Sequence, residues 1–237
     1  MRHLERYLDG QHEQVWTELV GIGPSIRDDP EEWADARAVA EETMRRVRAN
    51  VARLREGLPA IGYEFANPDG VLADPTDDVR AELDRLEAAT GPIPLAVRVF
   101  CEVVGSVDLS GEHPEWPHQL LDPLMFETSV DYWIDSHEDM REQGAITDAE
   151  PYELDFSPDD LHKADISGGA PYAVRVPDAS ADALVVWEPH ETTFVNYLRI
   201  VLRFAGMGGM GEVRHHGHDL FPTPPEVERL AAELERF

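Results

Sequence analysis

Residues 86–109 read L-E-A-A-T-G-P-I-P-L-A-V-R-V-F-C-E-V-V-G-S-V-D-L and contain three elements in close succession. A first helix is predicted to end at Gly91, because glycine favours the backbone conformation that terminates a helix. A second helix follows Pro92 and ends at Gly105, and a strand begins at Val107. Each helix has one apolar face, formed by Val79, Leu83 and Leu86 in the first and by Leu95, Val99, Phe100 and Val103 in the second. Two helices followed at once by a strand indicate a fold of mixed α and β structure.

Upstream of this stretch, the apolar residues follow a helical period. A first helical segment is interrupted at Gly21 to Pro24, and a long amphipathic helix then ends at Gly57 to Pro59. The apolar face of the long helix repeats in steps of three and four at Ala40, Met44, Val47, Val51, Leu54 and Leu58. Residues 61–65 are predicted to form a short strand and residues 67–75 a loop. We therefore expect residues 1–75 to form an N-terminal helical extension.

Downstream, residues 76–237 alternate strands with helices. Residues 124–126, 152–156, 172–176 and 184–187 are predicted strands, because apolar side chains alternate or cluster over short runs there. Helices are predicted to begin near Val130, Thr193 and Pro224, and residues 110–122 are predicted to form an irregular surface loop. The sequence predicts an α+β fold in which helices flank a central, mainly antiparallel sheet, with a C-terminal helix after it.

Charge is the strongest signal in the composition. The 237 residues contain 48 acidic and 20 basic side chains, which gives a formal net charge of -28. Residues 106–166 carry 17 of the acids and only Arg141 and Lys163 as bases, whereas residues 31–57 carry six of each. Direct binding to nucleic acid or to an anionic membrane is not expected, because phosphate contacts need a basic surface. Two interpretations remain open: the acids are a solvation device for high salt, or they steer a basic partner.

The sequence also argues against a membrane span, a signal peptide, a disulfide and a cysteine-rich zinc site. No run approaches the roughly 20 apolar residues that span a bilayer, and the first ten residues carry charges where a signal peptide would be apolar. We therefore expect a cytoplasmic protein. Cys101 is the only cysteine, so neither an internal disulfide nor a cysteine-rich zinc site is possible. It lies in an apolar run and is predicted to be buried.

Residues 86–109 resemble the signature of the SUKH superfamily, which includes fungal cell-wall assembly regulators and many bacterial immunity proteins. In that family a helix with an L-E pair leads into a G-x-L-P-like turn, and an apolar helix then ends at a glycine before the first strand. Gly91 and Pro94 match the turn, and Ile93 stands where leucine is usual. Phe100 and Gly105 match the end of the helix. The resemblance covers Asp77 to Gly206 and leaves the N-terminal extension outside.

The resemblance implies a binding module, used in bacteria largely to neutralise toxins that are often basic nucleases. We therefore expect a non-catalytic protein-binding surface from Asp108 to Asp160 that binds a basic protein, such as a toxin, and needs no cofactor. A regulatory scaffold, as in the fungal members, is the other role that the resemblance allows. The steering carboxylates are predicted to be Asp108, Asp122, Asp131 and Asp135. Trp116, between two prolines, either anchors the partner or packs its loop onto the sheet.

Two other groups of residues could bind a ligand or a metal, or take part in catalysis. His162, Lys163 and Tyr172 flank a Ser-Gly-Gly turn whose amides could hold an anion. We expect this turn to shape a groove at the sheet edge, and these three residues to belong to the partner-binding surface. A cluster further on has the side chains that zinc or nickel prefers, although adjacent histidines seldom face one metal: His215, His216, His218 and Asp219. A metal-dependent or small-molecule enzyme that uses His162, Lys163 and the cluster of residues 215–219 is the alternative function.

Overall fold

The computed structural model describes residues 2–147, 149–166, 168–210 and 222–237. The fold is α+β, as the sequence predicts, and combines α-helices with three small antiparallel sheets. The helices in these ranges are α1 (His3–Leu8), α2 (His12–Ile22), α3 (Pro30–Ala60), α4 (Val79–Thr90), α5 (Leu95–Val103), α6 (Val130–Glu142), α7 (Phe194–Arg203) and α8 (Pro225–Ala232).

The strands are short and pair mostly at long range. They are β1 (Glu64–Phe65), β2 (Leu72–Ala73), β3 (Ser106–Asp108), β4 (Gly111–Glu112), β5 (Met125–Phe126), β6 (Tyr152–Ser157), β7 (Tyr172–Val176) and β8 (Val185–Val186). The sheets have the orders β1-β4, β2-β3-β5 and β6-β7-β8. The amide of Glu127 donates to the carbonyl oxygen of Phe156 at 2.9 Å, so the second sheet continues into the third just past β5.

The long helix α3 organises the N-terminal part of the chain. Its first turn is capped by the Asp29 side chain, which accepts hydrogen bonds from the amides of Glu31 and Glu32, and Pro30 occupies the first helical position. The apolar face predicted from the sequence is buried and packs against α1 and α5. Burial of a complete leucine or valine side chain contributes about 1.5–3 kcal/mol, so this face is a large part of the core.

Three local predictions were wrong. The first helical segment is two helices, α1 and α2, separated at Gly10, whose φ of 90° interrupts the helical backbone. The predicted loops 67–75 and 110–122 contain β2 and β4, respectively. β2 and β4 are each two residues long, too short to show an alternation of apolar and polar side chains in the sequence. They form because β2 pairs with β3 and β4 pairs with β1, in each case a strand that is distant along the chain.

One continuous core joins the extension to the rest of the chain. The buried apolar residues form a single cluster that includes Tyr7 at one end of the chain and Phe237 at the other. Strand β2, at the end of the extension, pairs with β3, so the sheet crosses the predicted boundary between residues 75 and 76. Among the described helices, none combines the length and the hydropathy needed to cross a membrane.

The turn from α5 into β3 depends on Gly105. Its φ is 88°, and a Cβ at this position would lie 2.2 Å from the carbonyl oxygen of Ala73. An L-residue with a side chain would be strained by the backbone conformation and would collide with β2. The glycine therefore brings β2 and β3 together directly after the apolar helix.

Candidate functional site

Helix α6 presents a row of carboxylates to solvent. Val130, Trp133 and His137 form its buried face. The opposite side carries exposed acids, which recur mainly at steps of three and four: Asp131, Asp135, Glu138, Asp139 and Glu142. Asp131 pairs with Arg85 at 2.9 Å, with both side chains largely exposed, and the other four have no ion pair among the residues that the structure describes. We call these five carboxylates, together with Glu127, Glu153 and Asp155, the acidic face.

Strand β6 holds α6 in place through hydrogen bonds to aromatic side chains. The indole N–H of Trp133 donates to the carbonyl oxygen of Asp155 at 2.6 Å, and the Tyr152 hydroxyl donates to the carbonyl oxygen of Trp133 at 3.0 Å. The ring of His137 packs edge-on against Tyr152 at 5.2 Å between centroids. Because its carboxylates stand on a helix fixed by buried aromatics, the acidic face is a rigid surface.

Two exposed aromatic side chains border these carboxylates. Tyr132 is 51% exposed and donates its hydroxyl to Asp155 Oδ2 at 3.1 Å. Trp187 is 57% exposed, and its indole N–H donates to Glu153 Oε2 at 2.7 Å. The backbone of Trp187 has a φ of 67°, which is rare for a bulky residue and occurs most often at functional positions. Exposed tyrosine and tryptophan are the residues that most often anchor protein interfaces.

Tyr132 also forms one wall of a cleft between α6 and β6. The cleft has a volume of about 390 Å³, and the side chains of Glu127, Asp155 and Pro158 line it together with Tyr132. Burial raises the pKa of the Tyr132 hydroxyl, and Asp155 raises it further, so the phenol stays a neutral hydrogen-bond donor. No motif in the sequence distinguishes Tyr132 or Trp187 as a binding residue. The alternation of β6, which turns Glu153 and Asp155 outward, was the only signal near them.

Asp122, Lys163 and Tyr172 come together, but in the interior rather than on the surface. Lys163 Nζ lies 2.8 Å from Asp122 Oδ1, and the exposed fractions of the two side chains are 0% and 2%. The Tyr172 hydroxyl donates to Asp122 Oδ2 at 3.2 Å, and the ammonium lies 4.5 Å from the centre of the Tyr172 ring. Placing these three residues on a partner-binding surface was wrong. The ion pair instead ties the loop before β5 to the segment between β6 and β7.

His162 remains at the surface, next to the turn that was expected to hold an anion. The anion is the chain's own Asp159, which accepts hydrogen bonds from the His162 amide at 2.7 Å and pairs with its Nδ1 at 3.0 Å. Burial alone would raise the pKa of Asp159, yet these hydrogen bonds hold it below its usual value. A Cβ on Gly168 would lie 2.5 Å from Asp159 Oδ1, so a side chain at this position would displace the Asp159 carboxylate.

The other residues that the sequence singled out differ in how far they are exposed to solvent. Trp116 is only 6% exposed and stacks on His113 at 4.1 Å, so it packs its loop and is not an exposed anchor. Asp108 is half-buried, and its Oδ1 accepts a hydrogen bond from the Ser110 amide at 2.9 Å. Asp131 and Asp135 are exposed on α6, as their predicted role requires. Cys101 is fully buried, as expected, and burial raises the pKa of its thiol to about 12.

The histidine cluster of His215, His216, His218 and Asp219 lies outside the described residues. Within the described ranges, no group of three or more histidine, cysteine, aspartate or glutamate side chains could hold a metal ion.

Comparison with family models, with curated proteins and with solved structures gave no match. The case for a function therefore depends on the geometry and charge of the acidic face.

Proposed function

We propose that this chain is a non-catalytic protein-binding module whose acidic face binds a basic protein. The narrower form of the proposal is an immunity protein of the SUKH type that neutralises a basic toxin. The observation that carries the proposal is the set of exposed carboxylates on α6 without an ion pair in the described part of the chain, beside the exposed rings of Tyr132 and Trp187.

The carboxylates would act first on the rate of association. Closely spaced charges of one sign produce a field that extends over about 10 Å at moderate ionic strength and attracts a basic partner before contact. Asp135, Glu138, Asp139 and Glu142 are free to contribute to this field, since no cation in the described ranges pairs with them. Such steering raises association rates by about 10- to 1000-fold and declines with added salt.

The aromatic rings would act after contact. Tyr132 and Trp187 expose about half of their surfaces and are each held by one hydrogen bond, so they lose little conformational freedom when a partner covers them. The cleft beside Tyr132 is lined by Glu127 and Asp155 and suits the side chain of an arginine or lysine. Inhibition would be steric, because a partner bound over this face has its own basic surface covered.

The alternative of an enzyme built on His162 and Lys163 has no specific observation in its favour. The Lys163 ammonium is enclosed and paired with Asp122, so it has no access to a substrate in this conformation. His162 pairs with Asp159.

The proposal is tested by comparing two variants that remove the same number of charges. The first neutralises the α6 acids by Asp135→Asn, Glu138→Gln, Asp139→Asn and Glu142→Gln. The matched control neutralises four exposed acids elsewhere by Glu56→Gln, Glu64→Gln, Asp69→Asn and Asp77→Asn. Wild type and both variants are immobilised, and native lysate is passed over them at low and at moderate salt.

We expect one basic protein to be retained by the wild type and the control, lost by the α6 variant, and released by salt. The purified partner is then assayed with and without this chain, and inhibition of its activity supports the immunity role over a scaffold role. Equal retention by both variants, an affinity that does not depend on salt, or retention of no protein by the wild type would contradict the proposal.

A further inference from the structure

A large cavity lies away from the acidic face, where the C-terminal segment meets α2 and α7. Its volume is about 850 Å³, within the range of about 300–1,000 Å³ that is typical of small-molecule sites. Leu202, Phe204, Leu234 and Phe237 give it apolar walls, and Arg199 and Arg203 line it as cations. A cavity of this size with apolar walls and a few polar groups is the usual form of a ligand site.

The walls of the cavity are fixed by hydrogen bonds to the backbone of the C-terminal segment. The Asn50 side chain donates to the Glu235 carbonyl oxygen at 2.8 Å and accepts from the Glu235 amide at 2.7 Å. Arg46 Nη1 donates to the carbonyl oxygen of Arg236 at 2.9 Å, and Arg199 Nε donates to the main-chain oxygen of Phe237 at 2.7 Å. The cavity therefore exists before any ligand binds, which lowers the free-energy cost of binding.

Arg199 is the unusual residue of this cavity. Its Nε donates to the main-chain oxygen of Phe237, and its charge also interacts with the carboxylates of Glu13 and Asp182. Its Nη1 donates to Asn196, while Nη2 is buried and has no hydrogen-bond acceptor among the described residues. A buried guanidinium N–H without an acceptor is unfavourable, and an anion beside Nη2 would supply one.

His12 lines the cavity in a neutral state. His12 Nε2 lies 2.9 Å from Arg46 Nη1, and because a guanidinium only donates, this nitrogen accepts and the ring is neutral. Burial lowers the pKa of His12, and the charges of Arg46 and Arg199 lower it further. The carboxylates Glu13, Glu228 and Glu235 also line the cavity, but all three are exposed to solvent, which screens them.

We infer that this cavity binds a small organic carboxylate with an apolar tail, whose carboxylate pairs with Arg199 and Arg203 while its tail packs on Leu202, Phe204 and Phe237. A planar guanidinium matches a carboxylate with two parallel hydrogen bonds. A singly charged ligand fits better than a dianion, because the net charge of -28 repels each added negative charge. This binding site is independent of the acidic face and of the protein partner proposed for it.

The test is calorimetric titration of the whole chain with octanoate, with octylammonium as the probe of opposite charge and inorganic phosphate as an anion without a tail. We expect octanoate to bind with a Kd of about 1 mM or tighter and the other two probes to bind at least about tenfold more weakly. Arg199→Gln should weaken octanoate binding about tenfold or more, and Arg199→Lys should weaken it less, because a point charge remains.

Arg203→Gln is the second variant, and it keeps the test decisive if Arg199→Gln does not fold, because Arg203 is exposed. We expect it to weaken octanoate binding about threefold to tenfold. Arg175→Gln, on the outer face of the β6–β7 pair, is the control and should bind octanoate like the wild type. Octylammonium or phosphate binding as tightly as octanoate, an unchanged affinity in Arg203→Gln, or no octanoate binding by the wild type would overturn the inference. The α6 variant should bind octanoate normally, so failure here and failure of the protein-binding proposal are separate results.

Discussion

The surface between α3, α4 and α5 and the acidic face on α6 use carboxylates in opposite ways. In the first region Arg98, 12% exposed, contacts Asp84 at 2.6 Å, Glu87 at 2.7 Å and Glu102 at 2.9 Å. Arg37 on α3 also pairs with Glu102, whose side chain is 1% exposed. On α6 the acids point to solvent, and among the described residues only Asp131 forms an ion pair.

The carboxylates of the first region stabilise the fold through ion pairs, whereas those of α6 remain available to bind another molecule. Glu87 illustrates the first kind, because it bonds Arg98, Arg27 and the amide of Ile93 and so joins α4, α5 and the segment before α3. Exposed single charges contribute little to stability, while like charges at a spacing of four on a helix destabilise it slightly. A row of such charges is therefore better explained by an interaction with another molecule or with the solvent than by folding.

The largest effect is expected at Asp122, which belongs to the acidic stretch but is buried like the acids of the first region. Asp122→Asn leaves the enclosed Lys163 ammonium without a carboxylate and should destabilise the fold by about 3–5 kcal/mol. Urea unfolding measures this change. Adding Lys163→Met to Asp122→Asn removes the unpaired ammonium and should recover most of the lost stability. If the double variant is as unstable as Asp122→Asn alone, the ion pair is not the cause of the destabilisation.

The next effect compares one carboxylate from each region. Glu102→Gln removes the acceptor of Arg37 and Arg98 and should lower the free energy of unfolding by about 3 kcal/mol, because a desolvated charge pair is broken. Glu138→Gln on α6 should change it by less than about 0.5 kcal/mol. Chemical denaturation of the two variants checks the comparison, and equal losses would show that α6 charges also hold the fold.

Asp182 is a third kind of carboxylate, buried and without an ion pair among the described residues. It accepts hydrogen bonds from the amides of Ala183 and Val195 and caps α7, but burial raises its pKa to about 7. Because its folded pKa lies above its unfolded value of 3.8, its stabilising contribution is complete below pH 4 and is lost as the pH rises towards 7.

The contribution of Asp182 is measured as the difference between the wild type and Asp182→Asn in unfolding experiments from pH 4 to pH 8. The wild type should lose stability relative to the variant with a slope of at most about 1.4 kcal/mol per pH unit, since one proton is involved. A difference that does not vary with pH would show that Asp182 titrates alike in the folded and unfolded chains.

The smallest effect concerns repulsion within the acidic face. The variant that neutralises Asp135, Glu138, Asp139 and Glu142 should be more stable than the wild type by about 1 kcal/mol at low salt, because repulsion along α6 is removed. Added salt should remove most of this difference. Thermal unfolding at low and high salt measures it, with the control variant of four other acids showing a smaller change.

The sequence predicted most of the fold because long elements carry their own pattern. The apolar periods of α3, α5 and α7 and the alternation of β6 are local properties, so their type and order follow from neighbouring residues. The two-residue strands β2 and β4 could not be predicted in the same way. They exist because distant segments meet, as at Gly105, where only a glycine lets β2 approach β3.

For the candidate site, the sequence alone determined where the acidic charge is concentrated along the chain, and that Asp131 and Asp135 lie opposite the apolar face of a helix. Only the tertiary structure decided which carboxylates are free to bind a partner. Asp122 and Asp135 look alike in the sequence, yet Asp122 is buried against Lys163, 41 residues away, and Asp135 is exposed. The reason is physical: helical periodicity is set by neighbouring residues, whereas burial and ion pairing depend on which distant segments pack together.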